Sequence, residues 1–346
     1  MRRLISIVAL AGWLAWPIVA AAQAPADPLQ AAAAWLRTQQ QADGGFSNGF
    51  VPGSDPATTA DVVLAIVAAG EDPSQWNSGG SSPVDSLQDA VTSGSVAGPG
   101  AFAKVALAAA AAGGDPGSFG GVDLVGNILE GFSVDTGLFG GGPYDSALAI
   151  QALAAAGEPV PESAIAGLLA TRLADGTYSF NGDQTPGTGD SNTTAMAVIA
   201  LAAVGEDDEI APSLAYFRSV QNEDGGWTYQ KPSAFGEETD ANSTALVMQA
   251  LAAAGEDLSG WNDPAQALLA LQVPSGAFMF NATNSSENLL ATVQALPALA
   301  LVMPGKAASA EMPWLEIGLG GIGLIVVAIL VWRVLQKRSA KGAAGP

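Results

Sequence analysis

An internal repeat constrains this chain more than any other feature of its sequence. Five times an alanine-rich apolar run ends in glycine followed by an acidic residue, and a sixth, degenerate copy ends near Pro304-Gly305. The spacing of about 43 to 50 residues suits a unit of two helices with one longer connection. Six such units fill most of the 346 residues. The five clear copies end at Gly70-Glu71, Gly114-Asp115, Gly157-Glu158, Gly205-Glu206 and Gly255-Glu256.

A second element precedes most of these runs. An apolar residue is followed four positions later by a polar one, and then by a glycine turn and an aromatic residue. A looser copy leads from Leu129 to Gly137-Leu138-Phe139, and the second repeat departs most. The pattern predicts a helix stopped by a glycine of positive φ, with the aromatic ring folded onto the neighbouring unit. The clear copies are Leu36, Gln40, Asp43-Gly44-Gly45-Phe46; Leu168, Arg172, Asp175-Gly176-Thr177-Tyr178; Phe217, Gln221, Asp224-Gly225-Gly226-Trp227; and Leu268, Gln272, Ser275-Gly276-Ala277-Phe278.

The alanine-rich helices are predicted to form the inner wall of a ring. They begin with residues suited to helix capping, namely Asp55-Pro56, Asp145-Ser146, Asp190-Ser191 and Asp240 with Asn242-Ser243. With almost no charge on any side, these helices should be buried all round. Units that cannot bury both faces alone must stack, and six of them can close on themselves. The fold class expected is therefore all-α, with an inner and an outer barrel of helices.

These turns and capped runs resemble a known family over residues 28 to 305. The Q-x-x-D-G-G-[FW] turns and the alanine-rich runs that open with Asp and Ser or Thr look like the α/α toroid of terpenoid cyclases, protein prenyltransferase β-subunits and the cobalamin carriers transcobalamin and intrinsic factor. The resemblance implies an (α/α)6 toroid. It leaves the function open, because these relatives use one scaffold for unrelated purposes.

Missing residue types disfavour several activities. The chain has no cysteine and no histidine, which excludes Ser-His-Asp and Cys-His catalysis and the Asp, Cys and His zinc site that the prenyltransferase resemblance implies. The D-x-D-D acid cluster of the squalene-type cyclases is also missing. The nearest run, Asp207-Asp208, falls in a connection between repeats. No catalytic residue is predicted, although a terpenoid-cyclase-like enzyme, or a polysaccharide-acting enzyme with a pair of carboxylates, stays open as an alternative.

A small-ligand binding protein is the favoured function. In the cobalamin carriers that the chain resembles, the loops at the start of the inner helices face the ligand, so the corresponding positions are candidates here. Aromatic residues after the turns add to that rim. A cell-surface scaffold that binds a protein or polymer through the loops 179–189 and 228–239 is the other alternative. The predicted ligand-binding residues are Tyr144, Asp145, Asp190, Thr193, Trp227, Tyr229, Asp240 and Asn242.

No cofactor is expected, with one alternative. Five acidic residues fall in the longest loops or at the helix starts that follow them, and Ca²⁺ binds where several oxygen ligands lie close together. A calcium site there is a minor hypothesis, and no other metal site is predicted. The five residues are Asp183, Asp190, Glu237, Glu238 and Asp240.

The two ends of the chain predict export and anchoring. Residues 1–22 have the basic start, apolar stretch and small-residue ending of a cleaved signal peptide. After a toroid over 23–305 and a linker over 306–313, the apolar run from Trp314 to Trp332 is long enough to cross a bilayer. The tail over 333–346 is basic, which places it in the cytoplasm and the toroid outside.

The charge of the predicted ectodomain restricts its partners. Residues 23–313 contain six basic and 32 acidic residues, a formal charge of −26, against −21 for the whole chain. Nucleic acid is therefore an unfavourable partner. The partners expected are a small molecule or a cell-surface component, together with the membrane.

Overall fold

The computed structural model describes residues 27–50, 52–234 and 236–303. The predicted signal peptide, linker, transmembrane helix and basic tail lie outside these residues, as do positions 23–26 and 304–305 of the predicted toroid segment. Within the described part, no helix has both the length and the apolar character needed to cross a membrane.

Twelve α-helices make up almost all of the regular structure in the described residues, and they alternate between two sets. The even-numbered helices are the alanine-rich ones. They are α2 (Pro56–Ala68), α4 (Pro99–Ala111), α6 (Pro143–Ala156), α8 (Ser191–Val204), α10 (Ala241–Ala253) and α12 (Leu289–Ala300). The odd-numbered helices are α1 (Pro28–Arg37), α3 (Pro83–Thr92), α5 (Leu124–Glu130), α7 (Glu162–Ala170), α9 (Ala211–Val220) and α11 (Pro264–Leu269).

The even-numbered helices close into a ring. Each of them packs against the next one in the chain, and α12 packs against α2, which completes the circle. Each odd-numbered helix packs on the outside of this wall, against an even-numbered helix of its own or a neighbouring repeat. The predicted double barrel of six helical hairpins is therefore confirmed, and most residues of the inner helices are buried between their two neighbours and the outer layer.

The turn between an outer and an inner helix depends on glycine, as predicted. Gly225 has a φ of +93°, and a Cβ atom at this position would lie 2.0 Å from the carbonyl oxygen of Asn262 in the next repeat. Gln221 ties the same turn together, since its Nε2 donates to the carbonyl oxygens of Gly225 and Trp261. The glycine is thus required both for its backbone angle and for close contact between repeats. Gly44, Gly137, Gly176 and Gly276 have the same positive φ and the same close contact with the next outer helix.

A buried hydroxyl joins the turn to the inner helix in five of the six repeats. The backbone N–H of the turn aromatic donates to a Thr or Ser hydroxyl in the first turn of the inner helix that follows. In the fifth repeat, Trp227 donates to Oγ1 of Thr244 over 3.0 Å. This bond satisfies a buried backbone donor that the turn leaves without a ladder partner. The other pairs are Phe46 with Thr59, Phe139 with Ser146, Tyr178 with Thr194 and Phe278 with Thr292.

Some helix starts differ from the prediction. Asp55, Asp190 and Asp240 cap α2, α8 and α10 through their side chains, as expected. The capping role predicted for Asp145 is wrong, because α6 starts earlier, at Pro143, and Gly142 is its N-cap residue without a side-chain bond. Proline at the first helical position needs no hydrogen bond on its nitrogen, which moves the helix start upstream.

The remaining regular elements are short. Two antiparallel pairs of two-residue strands follow outer helices: β1 (Phe132–Ser133) with β2 (Leu138–Phe139), and β3 (Phe278–Met279) with β4 (Glu287–Asn288). Three single 3₁₀ turns lie between repeats, at Pro73–Gln75, Asp207–Glu209 and Leu258–Gly260. The second of these contains Asp207 and Asp208, which confirms that this acidic pair belongs to a connection.

Candidate functional site

The end of the toroid where the inner helices begin carries a rim of aromatic side chains. Two of the long turns place their first aromatic residue in the core, and the chain then turns or bends, so that a second aromatic residue two positions later is exposed. Tyr178 and Trp227 are fully buried, whereas Phe180 is 58 % exposed and Tyr229 is 46 % exposed. Phe180 and Tyr229 are called the rim aromatics below.

Each rim aromatic reaches back to the inner helix of the preceding repeat. Phe180 packs on Tyr144 in the first turn of α6, with ring centroids 5.2 Å apart. Tyr229 lies over the start of α8, where its carbonyl oxygen accepts from the Ser191 N–H over 2.7 Å and its side chain lies close to the Asp190 carboxylate. The two contacts hold aromatic rings at the mouth of the ring of inner helices.

The two buried carboxylates of this rim accept hydrogen bonds from the first turns of the helices that they cap. Asp190 accepts from the backbone N–H of Thr193 over 2.7 Å and from its hydroxyl over 2.8 Å. Asp240 makes the same pair of bonds with Ser243, over 2.7 and 2.9 Å. Burial raises the pKa of Asp190 and raises that of Asp240 to about 6, although these hydrogen bonds favour the ionised form and act in the opposite direction.

The other predicted site residues divide between the rim and the interior. Asn242 faces the neighbouring inner helix and donates to Oε1 of Gln294 over 2.7 Å. Thr193 lies within the Asp190 cap, and Asp145 accepts from the Gly141 N–H over 3.0 Å. Trp227 is fully buried, its ring packs on Trp261 and its Nε1 donates to the Phe217 carbonyl oxygen. The structure therefore brings Tyr144, Asp190, Thr193 and Tyr229 to one part of the rim and places Trp227 in the core.

The inner wall of the ring contains polar residues that the sequence analysis did not single out. On α2, partly exposed residues recur every three or four positions at Ala57, Asp61, Leu64 and Ala68, although the helix is otherwise mostly buried. This spacing is that of one helix face. The face is turned toward the lumen of the ring, because the outer helices cover the opposite side of each inner helix.

Asp61 pairs with Lys104 across this wall. Nζ of Lys104, on α4, lies 2.6 Å from Oδ2 of Asp61. Desolvation works against the charge on Lys104, but Asp61, with Tyr144 and Asp55, raises its pKa above the ordinary lysine value. Tyr144 in turn has a raised pKa, chiefly through burial. A basic residue inside an alanine-rich run was the signal in the sequence that could have pointed to this pair.

The hypothetical calcium site does not form. In the described part of the chain no three acidic side chains come close enough together to hold a metal ion. Asp190 and Asp240 cap different helices, and Glu238 accepts instead from the Thr283 hydroxyl over 2.8 Å.

Solved structures with the same architecture share this arrangement of helices. No family model and no curated protein matches the sequence. A protein from Actinoplanes is 19 % identical, with a TM-score of 0.58 over 81 % of this chain and 98 % of that one. The type II terpene cyclase MstE from Scytonema is 13 % identical, with a TM-score of 0.57 over 80 % of this chain and 98 % of the cyclase. The fold is that of the α/α toroids.

A cobalamin carrier with the toroid fold is also similar. Haptocorrin, in a complex with Cbi, is 15 % identical, with a TM-score of 0.52 over 79 % of this chain and 65 % of haptocorrin. The resemblance drawn from the turns and the capped runs is thereby confirmed for the toroid fold. Identities this low define the fold and leave the ligand or reaction to be argued from the toroid's own residues.

Proposed function

We propose that this toroid is a non-catalytic binding protein that takes a small ligand at the rim where its inner helices begin. The observation that carries the proposal is the pair of exposed rim aromatics, Phe180 and Tyr229, fixed against Tyr144 and Asp190 at the mouth of the ring. Solvent-exposed rings held in place by neighbouring side chains are typical of binding surfaces. The ligand class is cobalamin-like or apolar, since both classes offer extended surfaces for aromatic contact.

An enzyme on the same fold is the second candidate, and one observation favours it. The pKa of Asp240 is about 6, which is close to the range that a general acid needs. Against this, Asp240 is buried and its carboxylate accepts bonds from Ser243 at the start of its own helix. A carboxylate used in this way caps a helix, and it has little access to a substrate. The terpene cyclase neighbour therefore suggests only the fold.

We also propose that the toroid is exported and held at the membrane by the segment 314–332. The end of the toroid opposite the rim holds both ends of the described chain. The side chain of Gln30, in the first turn of α1, donates to the carbonyl oxygen of Ala69 at the end of α2. The last described residues follow the end of α12, which lies at that same end of the ring. A tether attached there leaves the rim free for a small molecule or, alternatively, for a cell-surface partner.

Native mass spectrometry of the full chain after exposure to an extract of its host tests the binding proposal. A retained small-molecule mass that is lost in Phe180→Ser and in Tyr229→Ser supports it. Both substitutions change exposed side chains, so folding should survive. Phe50→Ser, at a residue that is almost fully exposed in another loop, is the matched control and should keep the mass. No retained mass would favour a protein-binding scaffold, and conversion of an added compound would favour an enzyme.

The absence of cysteine makes the membrane proposal easy to test. Phe50→Cys and Ser339→Cys are made separately and treated in intact cells with a maleimide that does not cross membranes. Labelling of the first and protection of the second is the expected result. Labelling of Ser339→Cys before the cells are broken would overturn the proposed orientation.

A further inference from the structure

A salt bridge lies inside the ring, below the rim. Lys104 and Asp61 are 19 % and 18 % exposed, and they join two adjacent inner helices. Lys104 is one of the six basic residues between positions 23 and 313. A pair taken out of water gains little net stability compared with apolar residues of the same size. Because stability alone does not account for this pair in a wall of alanine and leucine, its polar atoms are candidates for binding a ligand.

Several of those polar atoms remain available. An ammonium group has three N–H donors, and within the described part of the chain Lys104 uses one, toward Oδ2 of Asp61. The other carboxylate oxygen of Asp61 accepts no hydrogen bond there. The unused N–H donors of Lys104 and the second carboxylate oxygen of Asp61 make this side of the lumen suited to a group that supplies the missing partners.

The wall opposite the salt bridge is apolar. Asp61, Lys104 and Gln294 occupy the sixth position after the N-cap residue in α2, α4 and α12. The same position in α6, α8 and α10 holds Leu148, Met196 and Leu246, each nearly but not completely buried. At this level the lumen therefore has a polar side made by three consecutive helices of the ring and an apolar side made by the other three.

We infer that the lumen binds an uncharged amphiphile. Its apolar body lies against Leu148, Met196 and Leu246, and its head, a hydroxyl or carboxamide, hydrogen-bonds to Lys104 and Asp61. Such a head both donates and accepts, so it can accept from a free N–H of Lys104 and donate to the free carboxylate oxygen of Asp61. A charged head would leave one charge without a counter-charge in a poorly solvated place. This inference rests on the proposed function and adds the chemical class of the ligand.

Four probes with one common dodecyl body test the inference. Dodecanamide, dodecan-1-ol, dodecanoate and dodecylammonium are titrated against the full chain, and binding is followed by native mass spectrometry. The native protein should bind the two neutral probes at least about tenfold more tightly than the charged ones. Asp61→Asn leaves the charge of Lys104 without a counter-charge and should shift the preference to dodecanoate. Lys104→Met leaves the carboxylate and should turn it to dodecylammonium.

Two further variants keep the test decisive. The double variant Asp61→Leu with Lys104→Met removes both charges, should fold even where a single variant does not, and should lose the discrimination between the four heads. The control is Arg172→Met with Glu209→Leu, a salt bridge between the turn that follows α7 and the 3₁₀ turn before α9, which should leave all four affinities unchanged.

Each negative outcome has a separate meaning. Charged probes that bind the native chain as well as neutral ones, or preferences that the single variants do not move, would overturn the inference while leaving rim binding intact. Failure of all four probes to bind also overturns it. In that case a compound retained from the host extract and lost in Phe180→Ser would still support the proposed function, so the two failures are distinguishable.

Discussion

Nζ of Lys104 and Oδ2 of Asp61 are 2.6 Å apart, across the contact between two inner helices of the ring. Each charge is compensated by the other, and together they occupy a place that water reaches only in part. The stability lost on substitution depends on whether one or both partners are removed, since a single removal leaves an uncompensated charge.

The first prediction concerns the stability of this pair. Asp61→Leu alone should lower the free energy of unfolding by about 1–3 kcal/mol, less than for a fully buried pair because both side chains retain some contact with water. Adding Lys104→Met should recover most of that loss. Urea unfolding of the two single variants and the double variant measures the coupling. Additive losses would show that the two side chains do not interact.

The second prediction concerns pH. The pKa of Asp240 is about 6 in the folded protein, raised mainly by burial above the value of about 4 that is usual for aspartate. The folded state thus binds the proton more tightly, and this contribution to stability is present below about pH 4 and is lost as the pH rises through 6. Asp240→Asn keeps a capping oxygen and removes the charge. The free energy of unfolding of Asp240→Asn minus that of the native protein should therefore rise by about 3 kcal/mol as the pH increases from 4 to 7.

Urea unfolding across this pH range, with the native protein beside each variant, provides the measurement. Asp55→Asn changes the same kind of cap at the partly exposed start of α2 and serves as the control. A difference between Asp240→Asn and the native protein that stays constant from pH 4 to pH 7 would contradict the raised pKa.

The third prediction concerns the hydroxyl that joins turn and inner helix. Thr194→Val keeps the shape of the side chain but leaves the buried N–H of Tyr178 without its acceptor at 3.0 Å. The expected loss is about 1–3 kcal/mol, the cost of an unsatisfied buried donor. Thr92→Val, at an exposed position in α3, should change the stability little. Equal effects at the two sites in thermal and urea unfolding would argue against a role for the shared bond.

The fourth prediction separates two costs at the turn glycine. Gly225→Ala should be destabilising both because φ is +93° and because the new Cβ would meet the Asn262 carbonyl oxygen. Gly53 has a similar φ of +86° with nothing nearby, so Gly53→Ala measures the cost of the backbone angle alone, about 1 kcal/mol. The excess in Gly225→Ala reports the contact between repeats. No excess would mean that the next repeat moves away at little cost.

Most of the architecture could be predicted because it repeats. Glycine turns such as the one at Gly225, and caps such as Asp190, are local structures that depend on a few consecutive residues. Six copies of the same devices define six hairpins, and helices that are apolar all round must be enclosed. The start of α6 was misplaced because Asp145 fits a local capping pattern equally well, while Pro143 upstream had already begun the helix.

The candidate site followed only in part from the same reasoning. Tyr229 and Trp227 are two residues apart in one turn, and both are aromatic and suited to binding. Whether a ring lies at the rim or in the core depends on the bend of the chain at Tyr229 and on what the next repeat places there, since Trp261 packs on Trp227.

The sequence by itself determined the helices, the turns and the number of units, because these depend on interactions between residues close together in the chain. Only the tertiary structure decided that α12 packs on α2, that Lys104 meets Asp61 and that one side of the lumen is apolar. Those relationships join residues from different repeats. They depend on the angle by which each unit is turned against the last, a property of the packed side chains along the whole ring.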